Sequence, residues 1–251
     1  MKELTLLKVS GAELKAGETL DRLIAALVQL IAERQMIVVH GGGADIAHLQ
    51  QRLGLKPRFI EGLRVTDAES MWVAEMALSG SVNKRLTARL VMAGVRAIGL
   101  SGIDAGLLRA RQLVHPQGDL GRVGEINHVE TACLTDLLSM RFTPIISPIS
   151  LGDDGRPFNV NADHAALAIA TSLGVAEMIF LTNVPGVLRD GVVVTELHAD
   201  QARDLIQTGR ITGGMIPKVQ SALQAIEHGV GSVRITDLAG LAGVTGTSVL
   251  A

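Results

Sequence analysis

The chain has 251 residues, 47% of them hydrophobic and 19% charged, enough for one large α/β domain or two modest lobes around a full-sized core. Lys and Arg number 23 against 25 Asp and Glu, and there is no Tyr, with 4 Phe and 1 Trp, so neither a cationic field nor aromatic platforms are available for nucleic acid. The single cysteine, Cys133, excludes an internal disulfide and suits a reducing cytoplasm, and no apolar run approaches the roughly 18 residues that cross a bilayer. Cys133, between Ala132 and Leu134, reads as a buried filler, and no secretory leader pattern opens the chain, so a cytoplasmic protein is expected.

Leu4-Thr5-Leu6-Leu7-Lys8-Val9 reads as a short buried strand that ends at Ser10-Gly11, with Lys8 set unusually inside the apolar run. Apolar residues then recur at helical spacing over 20–31, and Met36-Ile37-Val38-Val39-His40 is a second strand. Gly41-Gly42-Gly43 follows at once and leads into a helix over 47–53. Strand, helix, strand, helix is the grammar of a parallel sheet with right-handed crossovers. Three glycines between a strand and a helix let the backbone come close to an anion, although one of them would suffice for a tight turn. No Gly-x-x-x-x-Gly-Lys-Ser/Thr is present. A dinucleotide Gly-x-Gly-x-x-Gly fails at Ile46, while Glu61 lies about where that motif wants an acid. Residues 59–67 read as a short hairpin ending at a helix cap. Arg64, flanked by Leu63 and Val65, either projects into a pocket to grip a carboxylate or sits on an edge strand.

Helices are expected over 68–78 and 82–92, and a third core strand over 95–100. Residues 106–128 alternate in polarity between glycines and suggest a hairpin at the rim. A helix over 131–140 and a strand over 142–146 follow. Asn159-Val160-Asn161-Ala162-Asp163 then opens an apolar helix, where Asn161 or Asp163 either caps the helix or does chemistry. Glu177-Met178-Ile179-Phe180-Leu181-Thr182 is a buried strand leading into the loop Asn183-Val184-Pro185-Gly186. Arg210-Ile211-Thr212-Gly213-Gly214-Met215-Ile216-Pro217-Lys218 combines a glycine pair, a helix start and a second isolated lysine. Residues 232–236 form the last clear core strand, with a short one expected at 247–250.

The inventory is two glycine-rich anion sites, the isolated Lys8 and Lys218, the helix-start carboxylate Asp163 and the pocket arginine Arg64. No Gly-x-Ser-x-Gly elbow or His-Glu-x-x-His appears, and the 7 histidines lack metal-ligand spacing. Phosphoryl transfer fits, because it asks a protein mainly to position two substrates and neutralise charge.

Leu7-Lys8-Val9-Ser10-Gly11, Val39-His40-Gly41-Gly42-Gly43, Glu61-Gly62-Leu63-Arg64-Val65-Thr66, Asn83-Lys84, Asn159-Val160-Asn161-Ala162-Asp163, Leu181-Thr182-Asn183-Val184-Pro185-Gly186-Val187 and Ile211-Thr212-Gly213-Gly214-Met215-Ile216-Pro217-Lys218-Val219 together resemble the acetylglutamate kinases of the amino acid kinase family. The resemblance implies an open αβα sandwich with a mainly parallel central sheet. It also implies an amino-acid lobe over 1–172, through which the protein dimerises, and a nucleotide lobe over 173–251. The reaction implied is transfer of the ATP γ-phosphoryl group to the side-chain carboxylate of N-acetyl-L-glutamate, in arginine biosynthesis. By the same resemblance Lys8 and Lys218 stabilise the transferring group, Asp163 organises both lysines, and the amides of Gly11, Gly42 and Gly43 meet phosphoryl and substrate oxygens. Arg64 and Asn159 hold the substrate's α-carboxylate, and Asn161 is a further substrate-binding residue. Thr182, Asn183, Val184, Pro185, Gly186, Val187, Leu188, Arg210, Ile211 and Thr212 line the nucleotide, with Mg²⁺ held mainly by the phosphates and no protein metal ligands.

Ser10 stands where the family has the first glycine of Lys-x-Gly-Gly, and Asn183 where it often has Asp. The first strand lies close to Met1, with no preceding helix, which leads to the expectation of a homodimer insensitive to arginine. Three rival readings are a sister kinase acting on an acylated α-aminoadipate of lysine biosynthesis, a non-catalytic sensor on the same fold, and a dinucleotide oxidoreductase.

Overall fold

The computed structural model describes residues 2–189, 191–213 and 215–251, so Gly214 of the expected glycine pair lies outside the described residues. The first strand, β1 (Leu4–Val9), is followed by α1 (Glu18–Glu33) and β2 (Gln35–His40). The two strands run parallel, with Val9 opposite His40. After α2 (Gly43–Arg52) comes the expected hairpin, β3 (Phe59–Ile60) with β4 (Leu63–Arg64). It delivers the chain to α3 (Ala68–Glu75), whose N-cap Asp67 accepts a hydrogen bond from Ser70 N at 2.8 Å.

Two separate helices were expected next. The structure instead carries α3 through a π-helical segment, Met76–Val82, directly into α4 (Asn83–Met92). Gly80 and Ser81 lie inside this segment, and its wider turn carries the helix on without a stop.

The chain continues with β5 (Ala97–Gly102), β6 (Leu108–Gln112), β7 (Val123–Val129), α5 (Thr131–Ser139), β8 (Thr143–Gly152), β9 (Pro157–Val160), α6 (Ala162–Leu173) and β10 (Glu177–Leu181). The final third adds the ribbon β11 (Leu188–Arg189) and β12 (Val192–Val193), then β13 (Glu196–His198), α7 (Ala199–Gln207), α8 (Met215–Glu227), β14 (Ser232–Thr236), α9 (Leu238–Gly243) and β15 (Thr247–Leu250).

Among the described residues eleven strands form one sheet, in the order β13-β15-β14-β10-β1-β2-β8-β6-β7-β9, with β5 also on β8. The middle is parallel. The exceptions are β15 on β14, the rim hairpin β6–β7, and β9 on β8. Period-2 alternation sorts the side chains: Leu6 joins the cluster under α6 and α8, while Leu7 and Val9 join the cluster under α1, α4 and α9. Lys8 is therefore turned to the α6 face. The result is the expected open αβα sandwich. The boundary expected near 172 falls at the end of α6, yet the sheet is continuous across it, because β10 pairs with β1 (Val9 opposite Leu181). No helix among the described residues is long and apolar enough to cross a membrane. Cys133 is half-buried on α5 rather than fully buried as expected, and burial and then nearby carboxylates push its thiol pKa up, which suits an inert thiol.

Candidate functional site

Parallel neighbours end side by side, so the loops after β1 and β2 meet at the carboxyl edge of the sheet. Gly41 N donates to Val9 O at 3.0 Å. The approach is closest at Gly11, where a Cβ would stand 3.0 Å from Gly42 Cα and 3.1 Å from Gly42 N. A Cβ on Gly42 would lie 2.5 Å from Leu78 Cδ2. Close packing thus favours glycine at both positions, which also leaves bare backbone toward the cavity. Beneath them His40 is fully buried; its Nδ1–H donates to Gly41 O (3.0 Å), and its Nε2 accepts from Asn83 Nδ2 (3.1 Å). Burial drives its pKa down to about 4, so it is a neutral brace under the glycine loop.

Asn161 caps α6, its Oδ1 accepting from Asp163 N at 2.8 Å. That leaves the Asp163 carboxylate free of capping duty, and it takes Lys8 Nζ at 2.7 Å, with side-chain exposures of 32% and 10%. Ser10 Oγ donates to Leu181 O (2.9 Å) and accepts from Lys8 Nζ (3.3 Å). The hydroxyl that replaces the expected glycine therefore ties the lysine to β10.

Arg64 is half-buried and leans over Phe59, 4.8 Å from the ring centroid. It donates from Nη1 to Gln50 Oε1 and from Nη2 to Gly43 O at 3.2 Å. Burial lowers its guanidinium pKa below the usual value. Asn159 Nδ2 donates to Thr66 Oγ1 (3.2 Å), which donates to Arg64 O (2.9 Å).

Lys8, Gly11, Gly42, Gly43, Arg64, Asn159, Asn161 and Asp163 all line one cavity of about 370 Å³, although they are scattered over more than half the chain. A second cavity, about 420 Å³, is lined by Thr182, Asn183, Val184, Gly186, Val187, Leu188, Arg210, Ile211, Thr212 and Lys218. Pro185 is exposed in the same loop but does not line it. Lys218 belongs to this second cavity rather than to the one around Lys8 and Asp163. The two cavities open from neighbouring strand ends, since Ser10 after β1 bonds Leu181 O, immediately before Thr182. Sequence reasoning missed Gln50, wholly buried on α2 and hydrogen-bonded to Ser70 Oγ at 3.1 Å. Its signal was a polar residue four places after Ile46 on the apolar face of that helix.

A mainly parallel sheet with one glycine-lined cavity at its carboxyl edge and a second cavity beside it is the architecture of a phosphate-handling α/β protein. Residues 3–237 match the amino acid kinase family, and the chain belongs to it. Its relatives specify the branch that it resembles. It is 49% identical to an acetylglutamate kinase of Roseiflexus sp. (strain RS-1) over 94% of this chain and 89% of that one, and the protein is a kinase. Among solved structures it superposes on smu.665 of Streptococcus mutans with a TM-score of 0.84, 31% identity, and coverage of 100% of this chain and 99% of that one. It also superposes on N-acetylglutamate synthase from Neisseria gonorrhoeae, solved with coenzyme A and N-acetyl-glutamate, with a TM-score of 0.87 and 27% identity. That match covers 99% of this chain but 59% of the synthase. The dinucleotide oxidoreductase reading is thereby set aside.

Proposed function

We propose that the protein transfers the ATP γ-phosphoryl group to the side-chain carboxylate of N-acetyl-L-glutamate, giving an acyl phosphate and ADP. The observation that carries this is the convergence in one cavity of a paired lysine, bare glycine backbone and a carboxylate-seeking arginine beside Asn159. Arg64 takes the α-carboxylate, with Asn159 beside it, and the γ-carboxylate is then directed toward Lys8 and the glycine amides. Nucleotide occupies the neighbouring cavity lined by Thr182, Asn183, Val184, Gly186, Val187, Leu188, Arg210, Ile211, Thr212 and Lys218. A carboxylate oxygen attacks phosphorus, the bond from phosphorus to the β–γ bridging oxygen breaks, and the electron pair leaves with ADP. Lys8 and Lys218 neutralise the charge that spreads over the equatorial oxygens, while Asp163 fixes the direction of Lys8.

The residues lining the first cavity include one carboxylate, Asp163, and Lys8 already holds it, so the donors present fit phosphate oxygens better than a bare metal ion. Mg²⁺ entering on the phosphates supplies further charge neutralisation. The product suits a step of arginine biosynthesis in the cytoplasm. A homodimer through α3 is part of the same proposal; Trp72 on that helix is 58% exposed, an unusual cost for a surface that meets only water.

The test is ATP-dependent acyl-phosphate formation trapped with hydroxylamine, run on N-acetyl-L-glutamate and on the acylated α-aminoadipate. Preference for the longer substrate refutes the assignment. Absence of product from both supports a non-catalytic sensor instead. Light scattering in solution decides the dimer.

A further inference from the structure

Elsewhere in this fold partly buried arginines face carboxylates: Arg85 pairs with Asp45, Arg122 with Asp154, and Arg34 and Arg234 with Glu177. Arg64 does not. Its partners are an amide oxygen (Gln50), a backbone carbonyl (Gly43) and an aromatic face (Phe59), and among the described residues no carboxylate pairs with it. Every acceptor that holds it is formally neutral.

Gln50 is the deepest of these partners, with no exposed surface. Its amide is oriented by what surrounds it. A guanidinium offers only donors, so the oxygen must face Arg64, and Nε2 turns to Ser70 Oγ at 3.1 Å. The orientation runs from Ser70 on α3, through Gln50 on α2, to the guanidinium on β4. A glutamate here would have the same shape and hold the arginine at least as firmly, but it would also cancel the charge.

We propose that Gln50 is a positioning residue that fixes Arg64 through a neutral acceptor, so that the whole guanidinium charge is left for the carboxylate of the bound substrate. The inference rests on the reading that Arg64 meets a substrate carboxylate, and it specifies why that site selects an anion. Gln50 does not touch substrate. A merely structural Gln50 would tolerate an isosteric acid; a charge-preserving one would not.

Steady-state kinetics of the full chain test this with Gln50→Glu, varying N-acetyl-L-glutamate at saturating ATP and then the reverse. The expected result is a KM for acetylglutamate raised at least tenfold, with kcat within threefold and the KM for ATP unchanged. A wild-type KM for acetylglutamate in a folded Gln50→Glu protein overturns the proposal. Should Gln50→Glu lose its cooperative unfolding transition, Gln50→Met decides, because it keeps the bulk and removes the acceptor. A raised acetylglutamate KM with unchanged ATP KM supports the proposal, and wild-type values overturn it. Wild-type protein that forms no acyl phosphate from acetylglutamate refutes the functional reading itself, whereas an active wild type with an indifferent Gln50→Glu refutes only the role of Gln50.

Discussion

Replacing Asp163 by Asn keeps the size and one acceptor oxygen of the side chain and removes its charge from Lys8. At the observed 2.7 Å, and with an effective dielectric near 20, the gross attraction is roughly 6 kcal/mol. Asp163 is 32% exposed, so water screens part of this, and the amide oxygen still accepts a hydrogen bond. A net loss of about 2–3 kcal/mol is expected, since Lys8, with 10% side-chain exposure, cannot recover full hydration. If the ammonium direction is what Asp163 supplies to the phosphoryl group, kcat falls by about 100-fold, the scale of losing one preorganised charge. Hydroxylamine-trapped acyl phosphate gives kcat, and urea unfolding gives the stability of the same sample. A folded Asp163→Asn protein that keeps kcat within threefold of wild type refutes the reasoning, because the ion pair would then be structural only.

Gly11→Ala places a methyl group 3.0 Å from Gly42 Cα, backbone that cannot rotate aside. The two glycine loops must part, at a cost of about 1–3 kcal/mol, and turnover should fall at least tenfold; urea midpoints with kinetics would show it, and wild-type values for both would deny the close packing. His40 takes up its proton at different pH in the two states: burial holds its folded pKa near 4, against 6.5 when unfolded. The unfolded chain therefore takes up a proton first as pH falls, and this residue's contribution drops by about 2 kcal/mol between pH 7 and pH 5. His40→Gln should flatten that slope in urea titrations; an unchanged slope would mean that another group carries it. Arg234 is buried with Nη1 and Nη2 lacking acceptors, although its Nε reaches Glu177 at 2.8 Å. Arg234→Met should be neutral or stabilising by about 1 kcal/mol, since Arg34 remains on Glu177. A loss above 3 kcal/mol in thermal or urea unfolding would show that water or another group satisfies those nitrogens.

The first cavity was legible because its residues break local rules: a lysine inside an apolar strand, three glycines where one suffices, an acid just after a helix cap. Each anomaly sits next to a strand end, and parallel pairing brings strand ends together whatever their separation in sequence. The hairpins at 59–64 and 108–129 were legible for the simpler reason that glycine and alternation mark turns and strands locally. What escaped has tertiary causes. The join of α3 to α4 through a π-helical turn depends on packing over Gly42, where Leu78 reaches across, and no local residue pattern encodes it. The short α9 is six residues, capped by Asp237 but too brief for a periodic signal. The ribbon β11–β12 has two residues per strand and, like β13, only becomes visible through its pairing. Gln50 was hidden because burial of a polar side chain is meaningful only once its partner, Arg64, is seen. The second lysine is the instructive partial case. Lys218 lines the second cavity, the one proposed for nucleotide, so on that proposal its approach to the transferred group depends on how substrates bridge two cavities rather than on one shared cleft.

The most direct measurement is a crystal structure with N-acetyl-L-glutamate and a non-hydrolysable ATP analogue. The account predicts the acetylglutamate carboxylate on Arg64 in the first cavity, the adenine nucleotide in the second, and the γ-phosphoryl group within hydrogen-bond reach of both Lys8 Nζ and Lys218 Nζ. A γ-phosphoryl group held by neither lysine, or nucleotide density in the cavity of Arg64, would contradict it.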